Sequence, residues 1–329
     1  MTIPSNPLFL HRANGDGAIL CASPAMRQAV ARARQFAATD LSVLLVGETG
    51  TGKELFARAI HHWSGRRGPL VDVNCGALPR DMVEGILFGH RRGAFTGAVE
   101  DAPGLIEEAH GGTLFLDEVG SLPRDSQVKL LRVLDSGEVR RLRDSRTRRV
   151  AFRTIAAAQA DVAARIATGD FRRDLFQRLA GLVIELAPLA QRAEDLTLLA
   201  AAFARRLGAT LGEGVAAVLH RYTWPGNVRE LQAAVTRAAR LATGSVISAA
   251  ALAEAIALGA PGPITIPVPL DGDEEERERL IAVYRAHGGN ARLTASALGI
   301  SRATFYRRAR DLGVSLDAVR EAIRTSVWS

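Results

Sequence analysis

Short apolar runs alternate with amphipathic stretches from about residue 19 to residue 186. The runs at 42–46, 71–74, 113–117, 153–157 and 182–186 read as buried strands. Between them, 54–62, 126–134 and 172–179 carry apolar residues at helical spacing. This alternation predicts an α/β fold, a mostly parallel sheet with helices on both faces in a three-layer αβα arrangement. From 189 to 259 the strands stop and alanine-rich helical spacing predicts a small all-α unit. Residues 262–270 carry three prolines and run into an acidic stretch at 271–276, an extended linker followed by solvated charge. The expected organisation is a tail over 1–17, an α/β unit over 18–188, a helical unit over 189–259, a linker over 260–276 and a helical end over 277–329. With a tail this short, no N-terminal sensor domain is expected. Control is therefore expected from a regulatory protein acting in trans, from expression level or from cell chemistry.

Two element boundaries carry chemistry. Gly47, Glu48, Thr49, Gly50, Thr51, Gly52 and Lys53 lie between a predicted strand and a predicted helix, the context of a phosphate-binding loop. Its backbone N–H groups and the helix N-terminus would face the phosphates, with Lys53 as a point charge on the outer ones. Glu54 stands where a hydroxyl normally binds magnesium, so the metal is expected to be held more through water. The apolar run at 113–117 ends in Asp117 and Glu118. Asp117 is placed to hold Mg2+ and Glu118 to polarise an attacking water. Together the two motifs predict a chain that binds and hydrolyses a nucleoside triphosphate, with ATP and Mg2+ as cofactors.

Between these motifs lie Gly93, Ala94, Phe95, Thr96, Gly97 and Ala98, uncharged and preceded by Arg91 and Arg92. The hexapeptide reads as a presented tip that pushes Phe95 and Thr96 toward something else. Taken alone, it reads equally as a glycine-rich surface turn with an incidental aromatic. Arg172 and Arg178 follow the fourth strand and would either complete a neighbour's site or sit as solvated charges on a helix; local spacing favours the second. Residues 290–310 read as helix, tight turn, helix, with Ala295 small at the crossing, Gly299 in the turn and Ile300 plugging the core. Ser301 would cap the second helix. Arg302, Thr304 and Arg307 are candidates for base edges, and Arg308 and Arg310 for phosphates. Residues 277–329 hold ten arginines, no lysine and four acidic residues, a phosphate-seeking balance.

Composition narrows the class. The chain has 329 residues, 47% hydrophobic and 23% charged, ordinary for a soluble globular protein with two or three domains. A net charge of +7, with arginine far ahead of lysine, favours polyanionic partners. Cys21 and Cys75 make no metal or disulfide spacing, which points to a reducing cytosol. The N-terminus lacks signal-peptide features, and the apolar stretch 246–260 is interrupted by Glu254 and too short for a bilayer. A cytoplasmic protein with no membrane partner is expected. His61, His62 and His90 lack partners at metal-ligand spacing.

The order and spacing of the phosphate loop, the GAFTGA hexapeptide and the LFLDE strand end resemble those of one family. It is the AAA+ ATPase core of sigma-54-dependent transcriptional activators, the bacterial enhancer-binding proteins, and the likeness covers about 19–258. The VNC segment resembles one whose asparagine contacts the Walker B glutamate, which implies a pair between Asn74 and Glu118. FRRDLFQRL resembles the arginine-finger helix and implies that Arg172 and Arg178 act in trans. WPGNVREL resembles sensor II, with Arg229 reaching ATP. Glu54 is a common residue after the lysine in this family. The 290–310 segment resembles the Fis-type helix-turn-helix that ends many of these activators and usually binds as a dimer.

The resemblance implies a helix-turn-helix tethered to upstream promoter DNA and a homo-oligomer, from dimer to hexameric ring, that hydrolyses ATP between subunits. The Gly93–Ala98 loop would engage the sigma factor and drive the sigma-54 RNA polymerase holoenzyme from closed to open complex. The basic stretch 140–149 falls at the family's second pore-facing hairpin, and either is solvated or reaches DNA or the sigma factor. One departure is Ala158-Gln159, where the family's sensor I strand usually ends in Thr-Asn; coupling efficiency rather than nucleotide binding is at stake there. Two other functions stay open: a DNA-binding regulator or repressor that keeps the fold without productive remodelling, and an AAA+ remodelling chaperone acting on another protein.

Overall fold

The computed structural model describes residues 9–11, 17–95, 97–242, 244–259, 272–298, 302–312, 314–316 and 319. Seven strands concern the core: β1 (Val43–Val46), β2 (Leu70–Asn74), β3 (Thr113–Asp117), the hairpin β4 (Glu138–Arg140) and β5 (Thr147–Arg149), β6 (Arg153–Ala158) and β7 (Leu182–Glu185). Five of them form one parallel sheet in the order β7-β1-β6-β3-β2.

Alternate strand residues point to opposite faces, so the strand sequences sort into two apolar clusters. Leu44, Leu114, Leu116, Ala156 and Ala158 face one side. There they pack on α3 (Val83–Phe88), α4 (Leu105–Glu108), α5 (Arg124–Ser136), α6 (Val162–Thr168) and α7 (Arg173–Leu179). Val43, Leu45, Phe115, Ile155 and Ala157 face the other side, under α1 (Pro24–Gln35) and α2 (Lys53–Trp63). A strand apolar on both faces must be covered twice, and the three layers follow. The expected α/β fold is the observed one. Arg153 is the exception inside β6, buried with its guanidinium donating to the carbonyls of Phe36, Ala37 and Leu41. It satisfies backbone acceptors just past the C-terminus of α1, where burial pushes its pKa down to about 10.

The helical unit comprises α8 (Ala193–Arg206), α9 (Val215–Arg221), α10 (Asn227–Leu241) and α11 (Ala249–Ala257). Its core of Leu199, Phe203, Trp224, Leu231, Val235 and Ile256 also takes in Leu55 of α2, so the helical unit and the α/β unit share apolar contacts. A polar junction reinforces that contact. Asp195, at the start of α8, accepts from the backbone N–H of Ala22 and Ser23 at 2.5 and 2.8 Å and from Ser23 Oγ at 2.9 Å. Arg192 lies 3.8 Å from the same carboxylate, and both side chains are at most 3% exposed.

Toward the C-terminus, α12 (Gly272–Ala286), α13 (Ala291–Ala297) and α14 (Arg302–Asp311) enclose Tyr284, Ala295, Phe305 and Ala309. Ala295 is buried, as expected of a small residue at a helix crossing. The acidic stretch 271–276, expected as solvated charge at the end of the 260–276 linker, is helical from Gly272. Gly299, Ile300 and Ser301 lie outside the described residues.

Asp195→Ala is expected to destabilise the chain by about 3–5 kcal/mol, because it strands the Arg192 charge and the Ser23 donors in a buried site. Denaturant unfolding measures this, and an unchanged midpoint would show that the junction contributes nothing.

Candidate functional site

Parallel strands deliver their C-terminal ends to one edge, and there the expected nucleotide motifs meet. The turn after β1 carries Gly50 and Gly52 at φ of +81° and +108°, and α2 begins at Lys53. Lys53 Nζ donates back to the carbonyls of Gly47 and Glu48 at 2.7 and 2.9 Å, and Thr51 Oγ1 donates to Glu48 at 2.8 Å. Two strands away, Asp117 closes β3 and accepts from the Glu118 N–H at 3.0 Å. Glu118 itself takes a left-handed backbone, φ +52°, rare for a side chain of its size. A cavity of about 220 Å³ is lined by Thr49, Gly50, Gly52, Lys53, Glu54, Asp117, Glu118 and Arg229 together.

The electrostatics suit a polyanion and a cation. Burial pushes the Lys53 pKa down, against the pull of Asp117 and Glu118. Burial likewise raises the Asp117 pKa, and the Glu118 and Glu54 charges add to it. Glu54 is exposed and pairs with Arg58 at 2.8 Å. Among the described residues no cluster of three or more His, Cys, Asp or Glu side chains could hold a metal ion.

Asn74 lies opposite Asp117 in the β2–β3 register. Its Oδ1 accepts from Gly76 and Ala77 N–H groups, both at 3.0 Å, and the structure holds no hydrogen bond from it to Glu118. The expected direct pair is therefore replaced by proximity. A Cβ on Gly76 would collide with Glu118 Oε2, which places the carboxylate directly over that turn.

Neither Arg172 nor Arg178 reaches the cavity of its own chain. Arg172 donates two hydrogen bonds to the Asp174 carboxylate, at 3.0 and 2.7 Å. Arg178 donates to Leu134 O at 2.6 Å and lies 3.1 Å from Asp135. It lines a separate cleft of about 480 Å³ with Ser42, Thr154 and Gly181, at the opposite end of the strands.

The hexapeptide differs from the presented tip expected of it. Gly93 N–H donates to Ala98 O at 2.8 Å, and Ala98 N–H to Phe95 O at 3.0 Å, a tight closed turn. Phe95 is half-buried, its ring edge-on to His90 with centroids 4.8 Å apart and its edge against Gly85. The exposed apolar residue here is Val99, at 75%. Thr96 lies outside the described residues. In the C-terminal helices Thr304 is half-buried, Arg310 is exposed, and Arg302, Arg307 and Arg308 sit on α14.

A family profile described as a Sigma-54 interaction domain matches residues 19–185. The chain belongs to the sigma-54 interaction-domain family. An AAA+ ATPase lid domain follows over 190–263, and a Fis-family bacterial regulatory protein domain over 273–323. The chain is 50% identical over 232 residues to a nitric oxide reductase transcription regulator of Cupriavidus necator, covering 68% of this chain and 45% of that one. It is 40% identical to the alginate biosynthesis transcriptional regulatory protein of Pseudomonas aeruginosa, covering 92% of this chain and 69% of that one. NtrX from Brucella abortus, solved in complex with ATP, superposes with a TM-score of 0.66 at 34% identity, over 90% of this chain and 69% of that one. The chain thus spans about half to two thirds of the length of such relatives.

The lid, matched separately over 190–263, makes contacts to the phosphate loop that the motifs did not reveal. Asn227 is fully buried, and its Nδ2 donates to Glu48 Oε2 at 2.9 Å and Thr49 O at 3.1 Å. Its Oδ1 accepts from Leu189 N–H at 2.7 Å. Val228 N–H donates to Gly50 O at 3.0 Å, and Arg192 Nη2 to Thr51 O at 3.0 Å. The lid therefore holds residues 48, 49, 50 and 51 one after another. Gly50 has no space for a side chain, since a Cβ would strike Gly226 O. The signal available in sequence was Asn227 itself, a polar residue opening an otherwise amphipathic helix.

Asn227→Asp is expected to weaken this contact by about 1–3 kcal/mol, since it sets a carboxylate against Glu48 and removes both donors. A lower urea midpoint and faster amide exchange at residues 48–51 would register the loss.

Proposed function

We propose that this chain is an ATP-driven activator of the sigma-54 RNA polymerase holoenzyme. The observation that carries the reading is the single cavity in which the Lys53 ammonium, the Asp117 and Glu118 carboxylates and Arg229 face one another across a glycine-rich turn. A nucleoside triphosphate fits such a set, because Lys53, Arg229 and the glycine-rich turn before a helix line one cavity and together supply cations and backbone donors for phosphate oxygens. A Mg2+ ion fits beside it. Asp117 would be its protein ligand, with phosphates and waters completing a shell that the protein alone does not provide. Bound there, it would supply positive charge to the phosphoryl oxygens. Glu118, held in a left-handed backbone beside Gly76, would orient and polarise the attacking water.

The placement of Arg172 and Arg178 outside their own chain's cavity supports a site completed by a neighbour in a hexameric ring, where an arginine finger contributes roughly 10³–10⁵ in rate. The Fis-family match supports attachment to upstream DNA through α13 and α14, with Arg302, Thr304, Arg307 and Arg308 on the second helix and Ser301 before it. In this reading Phe95 leaves its seat on His90 and Gly85 to engage the sigma factor when the nucleotide state changes. The DNA-binding domain match supports a place in the cytoplasm, where the chromosome lies.

Glu118→Gln is expected to bind ATP while hydrolysing it about 10²–10⁴ times more slowly. Phe95→Ala is expected to hydrolyse ATP normally yet form no open complex on a sigma-54 promoter, read by permanganate footprinting. Open-complex formation indifferent to Phe95→Ala, or absent from the unsubstituted chain, would replace this reading with that of a regulator or chaperone that keeps the fold without sigma-54 remodelling.

A further inference from the structure

Gln127, in the first turn of α5, is fully buried and does not line the nucleotide cavity. Its carboxamide serves three backbone groups. Nε2 donates to Leu122 O and to Asp170 O, both at 2.9 Å. Oε1 accepts from the Arg172 N–H, also at 2.9 Å. Leu122 closes a 3-10 turn, Val119–Ser121, that starts from Glu118, and Arg172 is the residue immediately before α7. One side chain therefore ties the turn after Glu118 to the backbone of Arg172.

A second connection runs beside it. The Arg165 side chain, on α6, donates to Gly120 O at 3.3 Å, and the Arg165 carbonyl accepts from the Phe171 N–H at 3.0 Å. Phe171 is buried in the same apolar cluster as Val119. The backbone at 170–172 is thus held twice to the turn at 120–122. The Arg172 side chain is held by much less. It is 32% exposed, and its two hydrogen bonds go to Asp174, itself 47% exposed. An exposed pair of this kind contributes little, so the guanidinium can exchange Asp174 for another oxygen anion. Where it can reach is decided by the backbone that carries it, and Gln127 sets that backbone.

We infer that Gln127 is a positioning residue for the nucleotide site of the adjacent subunit: it fixes the Arg172 backbone so that the guanidinium reaches a phosphate bound next door. The inference rests on the proposed trans role of Arg172. Two features favour it over mere cohesion. Leu122, Leu130 and Phe171 belong to one apolar cluster, where a leucine at 127 would bury without any polar atom to satisfy. The amide instead spends all three bonds on loop backbone, none on a helix or a strand. Those loops are also the two that the reaction would need in fixed places, one leaving Glu118 and one ending at Arg172. The reach of Arg172 toward a neighbour is thereby referred to the catalytic turn of its own subunit.

The test uses full-length chains, alone and in equal mixtures that share one oligomer. Gln127→Met keeps the length of the side chain and removes the amide. It is expected to bind ATP with unchanged affinity and to hydrolyse it about 10² times more slowly, the scale of an ångström-sized misplacement. Glu118→Gln has an inactive site but a well-placed Arg172. Mixing the two should recover about a quarter of the unsubstituted rate, since one site in four then joins an intact Glu118 to an intact donor. Arg172→Ala mixed with Glu118→Gln is the reference and should recover likewise. If the reference pair recovers and the Gln127→Met pair does not, or if Gln127→Met alone hydrolyses at the full rate, the inference is overturned while the trans role of Arg172 stands. If the reference pair stays inactive, the trans role fails and takes the inference with it. Should Gln127→Met not bind ATP, Gln127→Asn, which draws the amide back by one methylene, is read in the same mixture against the same outcomes.

Discussion

The structure depends on a grip across domains: the lid holds the phosphate loop by four consecutive residues. A loop that presents its N–H groups to a phosphate must turn its carbonyls elsewhere, and those carbonyls need partners. Lys53 serves Gly47 and Glu48 from within the loop. Asn227, Val228 and Arg192 serve Thr49, Gly50 and Thr51 from the lid. Arg192 is in turn held by Asp195, whose carboxylate caps the Ala22–Ser23 turn that opens α1. Lid, phosphate loop and first helix are thus one hydrogen-bonded unit, and a nucleotide that shifts the loop must shift the lid.

The sheet was legible from the chain because its strands obey a local rule. Each is short and separated by a helix-length segment, and the central β1, β3 and β6 are buried on both faces, so position and partner class followed from period alone. The β3 strand falls at 113–117 as expected, and β1, β2, β6 and β7 lie within one residue of the predicted runs. The grip on the loop was not legible, for an equally physical reason. Asn227 meets Glu48 across 179 residues and Arg192 meets Thr51 across 141, and nothing in the periodicity of either segment encodes the pairing. Buried polar side chains satisfied by distant backbone are where local reading runs out. Arg153 makes the same point, since a charged residue opening a strand gave no hint that it closes the end of α1.

The hexapeptide shows the converse error. Its small residues left Phe95 without local cover, and the sequence therefore read as a presented aromatic. The cover comes from residues just upstream: the His90 ring, and Gly85, whose missing side chain leaves room for the Phe95 edge. An aromatic edge-on to another ring gains area burial and a favourable quadrupole geometry, which exposure would forfeit. The seat remains shallow, half-buried beside a cavity of about 240 Å³, so little apolar area opposes departure.

Loop and hairpin cannot depart separately without breaking more. Leu142 is paired with both Gly89 and Arg91, and the Arg143 side chain reaches Gly93 O. Parting them would cost two backbone hydrogen bonds and one charge-assisted bond, whereas lifting them together costs chiefly the contacts of Phe95. The cheaper path keeps Phe95 and the hairpin arginines in fixed relation. Phe95 and the exposed guanidiniums of the hairpin therefore belong to one unit of the surface, joined by the backbone of Leu142 and the side chain of Arg143.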